Sequence, residues 1–138
     1  MATTNTIINP TCLAPAGPFS HGIVVPAGQE IVYTAGQVGT IDAKGTIART
    51  YEDQVIAAIR NLHVVLKEAG GTPKDIVKLT YYIVDYDVRN RMIHINALQK
   101  FLDGHKPVTT LVGVTKLANP ALKFEIEAVA VIKPRSRF

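Results

Sequence analysis

The sequence predicts an α+β domain in which one mixed β-sheet carries two helices on the same face. Apolar residues recur every three or four positions in two segments, 50–70 and from about 86 to 103, which is typical of amphipathic helices. Short apolar segments rich in β-branched residues precede, separate and follow these helices. The resulting order, ββ(β)-α-β-α-β-β, favours a mixed sheet with both helices packed on one side.

Length and composition indicate one globular domain covering residues 1–138. Hydrophobic residues make up 47% of the chain and charged residues 19%, so extensive disorder is not expected. No apolar stretch approaches the roughly 18 residues that a membrane-spanning helix needs. The N-terminal residues form neither a basic leader nor an apolar signal core, and the first basic residue is Lys44. We therefore expect a cytoplasmic protein without a membrane partner.

The first strands are predicted at 21–25 and 30–34. The intervening Pro26, Ala27 and Gly28 are typical turn residues, so these two strands are expected to form a hairpin. A third short strand or bulged extension is expected where two glycines flank residues 37 and 38.

The first helix has recognisable ends. Thr50 is the expected N-cap, and Gly70 followed by Gly71 supplies a left-handed stop. The strand predicted at 76–84 has too few charges to be solvated on both faces, so it is expected near the centre of the sheet. Asp85 and Asp87 are competing N-caps for the second helix, which Gly104 ends.

Two further strands are predicted, at 108–114 and 123–132, and we expect the last strand to pair with its predecessor. Two helices on one side leave the other face of the sheet uncovered, although its strands carry apolar residues on both sides. A symmetric homo-oligomer would cover that face. The alternative is a semi-polar face that stays in contact with water.

Several classes of site find little support. The four histidines have no metal-binding spacing, and the only cysteine, Cys12, has no partner, so neither a metal nor a disulfide is expected. His63 and His94, the latter placed on the polar side of the second helix, are interpreted as structural or solvated. No nucleotide-binding or nucleophile-elbow motif is present, so no cofactor is expected. The formal charge of +4 is scattered along the chain, so a nucleic-acid partner is not expected.

Glu125 is the strongest candidate in the sequence for a catalytic residue. The segment FEIEAVAV alternates, so Glu125 and Glu127 lie on one face of an otherwise apolar strand. An isolated buried carboxylate is costly, so at least one of the two is expected near a partner, a ligand or water. An ordinary edge carboxylate paired with a basic residue is the alternative.

Four segments resemble the YjgF/Rid family of reactive intermediate deaminases, also called L-PSP endoribonucleases. They are GPFSHGI, YTAGQVG, AIRNLHVVLKEAGGTPKDIVKLTYYIVD and FEIEAVAV, and together the resemblance covers nearly the whole chain. The resemblance implies a chorismate-mutase-like fold and a homotrimer with small-molecule clefts between subunits.

The same resemblance implies a set of site residues. The family's acid/base glutamate corresponds to Glu125 and its glycine after the second strand to Gly36. The substrate-binding arginine corresponds to Thr109, and the usual tyrosine to Phe19, so the guanidinium and the phenolic hydroxyl are both missing here. His21 and Tyr33 complete the expected pocket, which suits an uncharged or aromatic-like ligand.

Three functions remain open on this basis. The first is a diverged enzyme that acts on a small imine, enamine or related reactive metabolite. The second is a non-catalytic trimer that binds a metabolite or a protein in the same clefts. The third, RNA cleavage, follows only from the family's second name, because the sequence shows no basic groove interleaved with aromatic residues.

Overall fold

The computed structural model describes residues 4–134 and confirms the α+β class. The strands are β1 (Thr6–Ile8), β2 (Gly22–Val24), β3 (Glu30–Tyr33), β4 (Gln37–Val38), β5 (Ile76–Val84), β6 (Val108–Val114) and β7 (Phe124–Ile132). The helices are α1 (Tyr51–Glu68) and α2 (Arg91–Leu102), and single 3₁₀ turns at Pro73–Asp75 and Val88–Asn90 precede β5 and α2.

The main sheet has the strand order β3-β7-β5-β6, with β4 pairing to a further part of β7. β5 and β6 are parallel, while β7 is antiparallel to β3, β4 and β5. The sheet is therefore mixed, as the order of elements predicts. The short strands β1 and β2 form a separate two-stranded sheet.

Two predicted strand pairings are wrong. β2 and β3 do not form a hairpin, because β2 pairs with β1 and β3 pairs with β7. β7 does not pair with β6 but with β5, since the crossover through α2 already places β6 parallel to β5 on its other edge. β7 is consequently an interior strand, and its core-facing residues, such as Phe124 and Ile126, are fully buried.

α1 begins and ends where the local signals predict. The Thr50 hydroxyl accepts the backbone N–H of Asp53 at 3.1 Å, and Gly70 has a left-handed φ of 86° after the last turn. Val55, Leu62 and Leu66 are completely buried against the sheet. The capping residues therefore set the ends of α1, and its apolar stripe packs the helix on the sheet.

The start of α2 differs from the prediction. Asp87 caps the preceding 3₁₀ turn by accepting the N–H of Arg89, and α2 begins after Asn90. Asp85 has a left-handed φ of 52° and is not a cap. The predicted position of His94 on the polar side of α2 is also wrong, because His94 is only 1% exposed and faces the core.

Both helices cover one face of the main sheet, and this face holds the core. The core includes Leu79, Tyr81 and Ile83 from β5, while the alternate residues Thr80 and Tyr82 on the opposite face are half-buried. No element within residues 4–134 covers that opposite face in the way the helices cover the first. Neither helix of the described chain is long and apolar enough to span a membrane.

Candidate functional site

The segment that carries Phe19 is held against the start of β6 by one buried serine. The Ser20 hydroxyl donates to the carbonyl of Lys106 at 2.6 Å, and the Ser20 N–H donates to the carbonyl of Pro107 at 3.3 Å. Ser20 is 2% exposed and forms a parallel bridge with Val108. These bonds bring Phe19 and Thr109 to the wall of one cavity.

This cavity, which we call the helix-side cavity, has a volume of about 260 Å³ and lies between β5, β6, α2 and the Phe19 segment. Its apolar character comes from core side chains of β5 and α2. Its lining consists of Pro18, Phe19, Leu79, Tyr81, Ile95, Leu98, Gln99, Leu102, Gly104, His105, Lys106 and Thr109.

Thr109 contributes a small, already engaged polar group to the helix-side cavity. Its register partner on β5 is Leu79, so its side chain lies on the helix-covered face of the sheet. Its hydroxyl donates to the carbonyl of Pro107 at 3.1 Å. Thr109 therefore offers a ligand a half-buried methyl group and a hydroxyl, without a cation.

Glu125 lies on the opposite face of the sheet, packed over Gly36. A methyl group at Gly36 would overlap the Glu125 carboxylate and come within 2.7 Å of its Cδ and 2.9 Å of its Cγ. The absence of a side chain at Gly36 is thus what allows Glu125 to occupy its position.

The electrostatic environment favours the protonated form of Glu125. Partial burial raises the pKa of its carboxyl group, and the negative charge of Glu127 raises this pKa further. The β5 residue opposite Glu125 is Tyr82, whose hydroxyl donates to Oε1 of Glu127 at 2.5 Å. That hydrogen bond to the carboxylate also raises the pKa of Tyr82, because it holds the phenolic proton.

His21 and Tyr33 are not part of the lining of the helix-side cavity. The His21 ring packs edge-on against Phe19 at a centroid distance of 6.0 Å, and its Nε2 is 2.8 Å from the carbonyl of Ala14. Tyr33 is 74% exposed, and its pairing with Val129 places it on the same face of the sheet as Glu125.

The six predicted site residues therefore form two groups within one chain. Phe19, His21 and Thr109 lie at or beside the helix-side cavity, and Tyr33, Gly36 and Glu125 lie on the uncovered face. The sheet separates the groups, because Thr109 pairs with a core residue and Glu125 pairs with a residue of the other face.

The structure adds three residues to the predicted site residues. Lys106, which the sequence places outside the expected anchoring position, lines the helix-side cavity. Tyr82 and Glu127 form the hydrogen-bonded pair beside Glu125. Strand alternation identifies Glu127, but only the strand pairing shows that Tyr82 reaches it.

A second polar cluster lies under α2. The Tyr51 hydroxyl and Nδ1 of His94 are 3.2 Å apart, and the rings of Tyr81 and Tyr86 lie 5.4 and 6.3 Å from the His94 ring. Burial lowers the pKa of His94, which favours the neutral imidazole. Among the described residues, no group of three or more His, Cys, Asp or Glu side chains is placed to hold a metal ion.

Comparison with known proteins agrees with this architecture. The family model described as endoribonuclease L-PSP matches residues 10–132. The chain is 33% identical to a RutC family protein of Aquifex aeolicus over 128 residues, covering 91% of this chain and 97% of that protein. It is 32% identical over 119 residues to a protein of Escherichia coli named putative reactive intermediate deaminase TdcF, covering 83% and 87% of the two chains.

Solved structures show the same fold. The conserved Rid family protein YyfB from Yersinia pestis superposes with a TM-score of 0.85 at 32% identity, covering 94% of this chain and all of that one. TdcF from E. coli with bound serine gives a TM-score of 0.67 at 31% identity, covering 87% and 90% of the two chains.

Proposed function

Because the chain belongs to the YjgF/Rid family, we propose that it catalyses the hydrolytic deamination of a small imine, an enamine or a related reactive metabolite. The family relationship supports a function of the reactive intermediate deaminase type. The substrate, the cleft and the roles of the individual residues are our proposal.

The observation that carries this proposal is the state of the Glu125 carboxyl group. It is only partly buried, it rests on Gly36, and its pKa is raised by burial and by Glu127. General acid–base catalysis is most efficient when the pKa of the catalytic group lies near the working pH. A raised pKa therefore suits Glu125 to both accepting and donating a proton.

In the proposed reaction, Glu125 moves protons while water supplies the nucleophile. The carboxylate of Glu125 accepts a proton from water as the water oxygen bonds to the imine carbon. Glu125 then returns this proton to the imine nitrogen, which gives the neutral carbinolamine. The carbinolamine collapses when Glu125 takes the hydroxyl proton and delivers it to the nitrogen as the C–N bond breaks, so a carbonyl compound and ammonia are released and the carboxylate is restored. An enamine substrate first tautomerises to the imine by gaining a proton at carbon and losing one from nitrogen.

We further propose that the active cleft lies between subunits of a homotrimer. Glu125 and Thr109 lie on opposite faces of one sheet, so a single chain does not bring them together. A head-to-tail arrangement places the uncovered face of one subunit beside the helix-side cavity of the next. Ile31 and Tyr33 are 53% and 74% exposed, and such an interface would cover them.

An ammonia-release assay on a panel of imines tests the proposed reaction. Glu125→Gln keeps the size of the side chain but removes its proton transfer, so we expect turnover to fall by about 100-fold or more. Glu68→Gln, at an exposed position on α1, is the matched control and should turn over like wild type. Equal turnover by wild type and Glu125→Gln would reject the assigned role.

The second candidate function is a non-catalytic trimer that binds a metabolite or a protein. It is favoured by Thr109 and Phe19, which supply neither the guanidinium nor the phenolic hydroxyl that the family resemblance implies for active deaminases. In this case, ligands would bind in the cleft and be recovered chemically unchanged, and no imine would release ammonia above the background rate.

A further inference from the structure

The surface of the helical layer carries a groove between α1 and α2 that is separate from the helix-side cavity. We call it the outer groove, and its volume is about 710 Å³. α2 contributes Leu98 and Leu102 to the helix-side cavity but Met92 and Lys100 to the outer groove, so the two sites lie on different sides of this helix. The proposed reaction uses none of the residues that line the outer groove.

The outer groove exposes apolar side chains from both helices. Ile56 of α1 is 53% exposed and Met92 of α2 is 50% exposed, and both line the groove. Below them lie Ile59, which is buried, and Ile93, which is half-buried. Exposed apolar groups that share one groove gain free energy by leaving water together, which is typical of an interaction surface.

The charges of the outer groove differ between its two ends. The Tyr51 hydroxyl lies 3.2 Å from Nδ1 of His94, and the ring of His63 lies 5.6 Å from the ring of Phe101, so α1 and α2 run in the same direction. Lys100 therefore lies at the same end of the groove as His63. Glu52, in the first turn of α1, lies at the opposite end.

Three lining residues of α1 form one stripe of alternating character. Glu52, Ile56 and Arg60 follow each other at intervals of four residues, so they lie one above the other on the same face of the helix. The stripe is thus negative, apolar and positive along the chain. Arg60 donates to the carbonyl of Thr40 at 3.2 Å, but neither Glu52 nor Arg60 forms an ion pair with any residue between 4 and 134.

Such a stripe is complementary to a copy of itself that runs in the opposite direction. We propose that the outer groove is an interface between two copies of this chain, with α1 of each copy packed antiparallel on α1 of the other. The two-fold axis passes at Ile56, so the two copies of Ile56 meet. Glu52 of each copy then faces Arg60 of the other copy, because both residues lie four positions from the axis.

This interface is expected to be weak and reversible. Each contact occurs twice because of the two-fold symmetry, but exposed ion pairs contribute little and are screened by salt. One helix pair buries less than the roughly 800 Å² per partner that is typical of stable complexes. The interface lies on the opposite side of the sheet from the face that the proposed homotrimer would cover. It would therefore join assembled particles, and it does not depend on the proposed function.

Sedimentation velocity of the assembled protein over a wide concentration range tests the interface. The mean sedimentation coefficient of wild type should rise with concentration. Glu52→Lys makes both end contacts repulsive, as does Arg60→Glu, so each variant alone should associate about 10-fold more weakly. An equal mixture of the two variants restores an attractive pair at both ends and should regain wild-type association. Glu68→Lys, the same charge change at an exposed position of the last turn of α1, should associate like wild type.

Disulfide crosslinking tests the position of the axis. The experiment uses a Cys12→Ser background, because Cys12 is free and exposed. Under mild oxidation, Ile56→Cys should give a disulfide-linked dimer, since a residue on a two-fold axis meets its own copy. Val64→Cys is the matched control, because Val64 is 62% exposed on the same helix. The antiparallel arrangement separates its two copies by about 24 Å along the helix, so no crosslink should form.

The inference is overturned if wild-type sedimentation does not change with concentration, or if the mixed charge variants associate no better than either alone. Equal crosslinking of Val64→Cys and Ile56→Cys would also overturn it. These outcomes are independent of the proposed reaction, because neither Glu52 nor Arg60 lines the helix-side cavity. Normal ammonia release by Glu125→Gln would refute the reaction while leaving the association results intact.

Discussion

Replacing Gly36 by alanine should displace Glu125 without unfolding the protein. The added methyl group would overlap the Glu125 carboxylate and lie 2.7 Å from its Cδ. The backbone of Gly36 does not have a positive φ, so alanine is compatible with the local conformation. The strain can be relieved by rotating the partly exposed end of Glu125 into another rotamer, at a cost of about 0.5–1.5 kcal/mol in the free energy of unfolding.

The effect on catalysis should be much larger than the effect on stability. A correctly placed general acid–base group contributes about 100- to 10,000-fold to the rate, so displacing Glu125 should reduce ammonia release by at least about 100-fold. Gly113→Ala is the matched control, because its Cβ would meet the Cβ of Tyr86 at an ordinary 3.7 Å. The assay is steady-state ammonia release, combined with thermal unfolding of both variants. Full activity in a folded Gly36→Ala protein would refute the role assigned to this contact.

Two further predictions concern charge and pH. Glu127→Gln should lower the pKa of Glu125, because it removes the neighbouring negative charge that raises this pKa. The acid limb of the pH–rate profile should therefore move to lower pH. An acid limb that stays in place would contradict the coupling between the two carboxyl groups. His94 has a folded-state pKa below its ordinary value of 6.5, so the unfolded chain binds its proton more readily and stability should fall as the pH drops below about 6.5. Urea unfolding at pH 7.5 and 5.5 should show this loss in wild type and a smaller loss in His94→Gln, with His63→Gln at an exposed position as the control; an equal loss in all three proteins would refute the assignment.

Local signals in the sequence predict the helices and most strands correctly. The Thr50 cap and the left-handed Gly70 act within a few residues of the chain, so their effect can be read without knowing the fold. Strand pairing depends on partners far away in sequence. The turn residues after β2 suggest a hairpin, but β7 offers β3 a longer partner within the core.

Side-chain environment was harder to predict for α2 than for α1. The apolar pattern of α2 places His94 on the polar side, yet the aromatic rings of Tyr81 and Tyr86 and the hydroxyl of Tyr51 surround it. These rings belong to α1, to β5 and to the residues after β5. The pattern of residues within α2 therefore cannot predict the contacts of His94.

The candidate site was predictable in its residues but not in their arrangement. Alternation and family resemblance identify Glu125, and resemblance identifies Phe19 and Thr109. The separation of Thr109 from Glu125 by the sheet follows from register, which the sequence does not reveal. Lys106 does not correspond to the position of the missing arginine, yet the fold places it in the lining of the same cavity.

Mixing two inactive variants tests most directly whether one cleft is built from two subunits. Glu125→Gln and Thr109→Trp damage opposite sides of the proposed cleft, and each protein alone should be inactive. In trimers reassembled from an equal mixture, a head-to-tail interface carries an intact Glu125 and an intact cavity in about one quarter of cases, so about one quarter of wild-type ammonia release should return. No activity above that of the separate variants would contradict the intersubunit cleft.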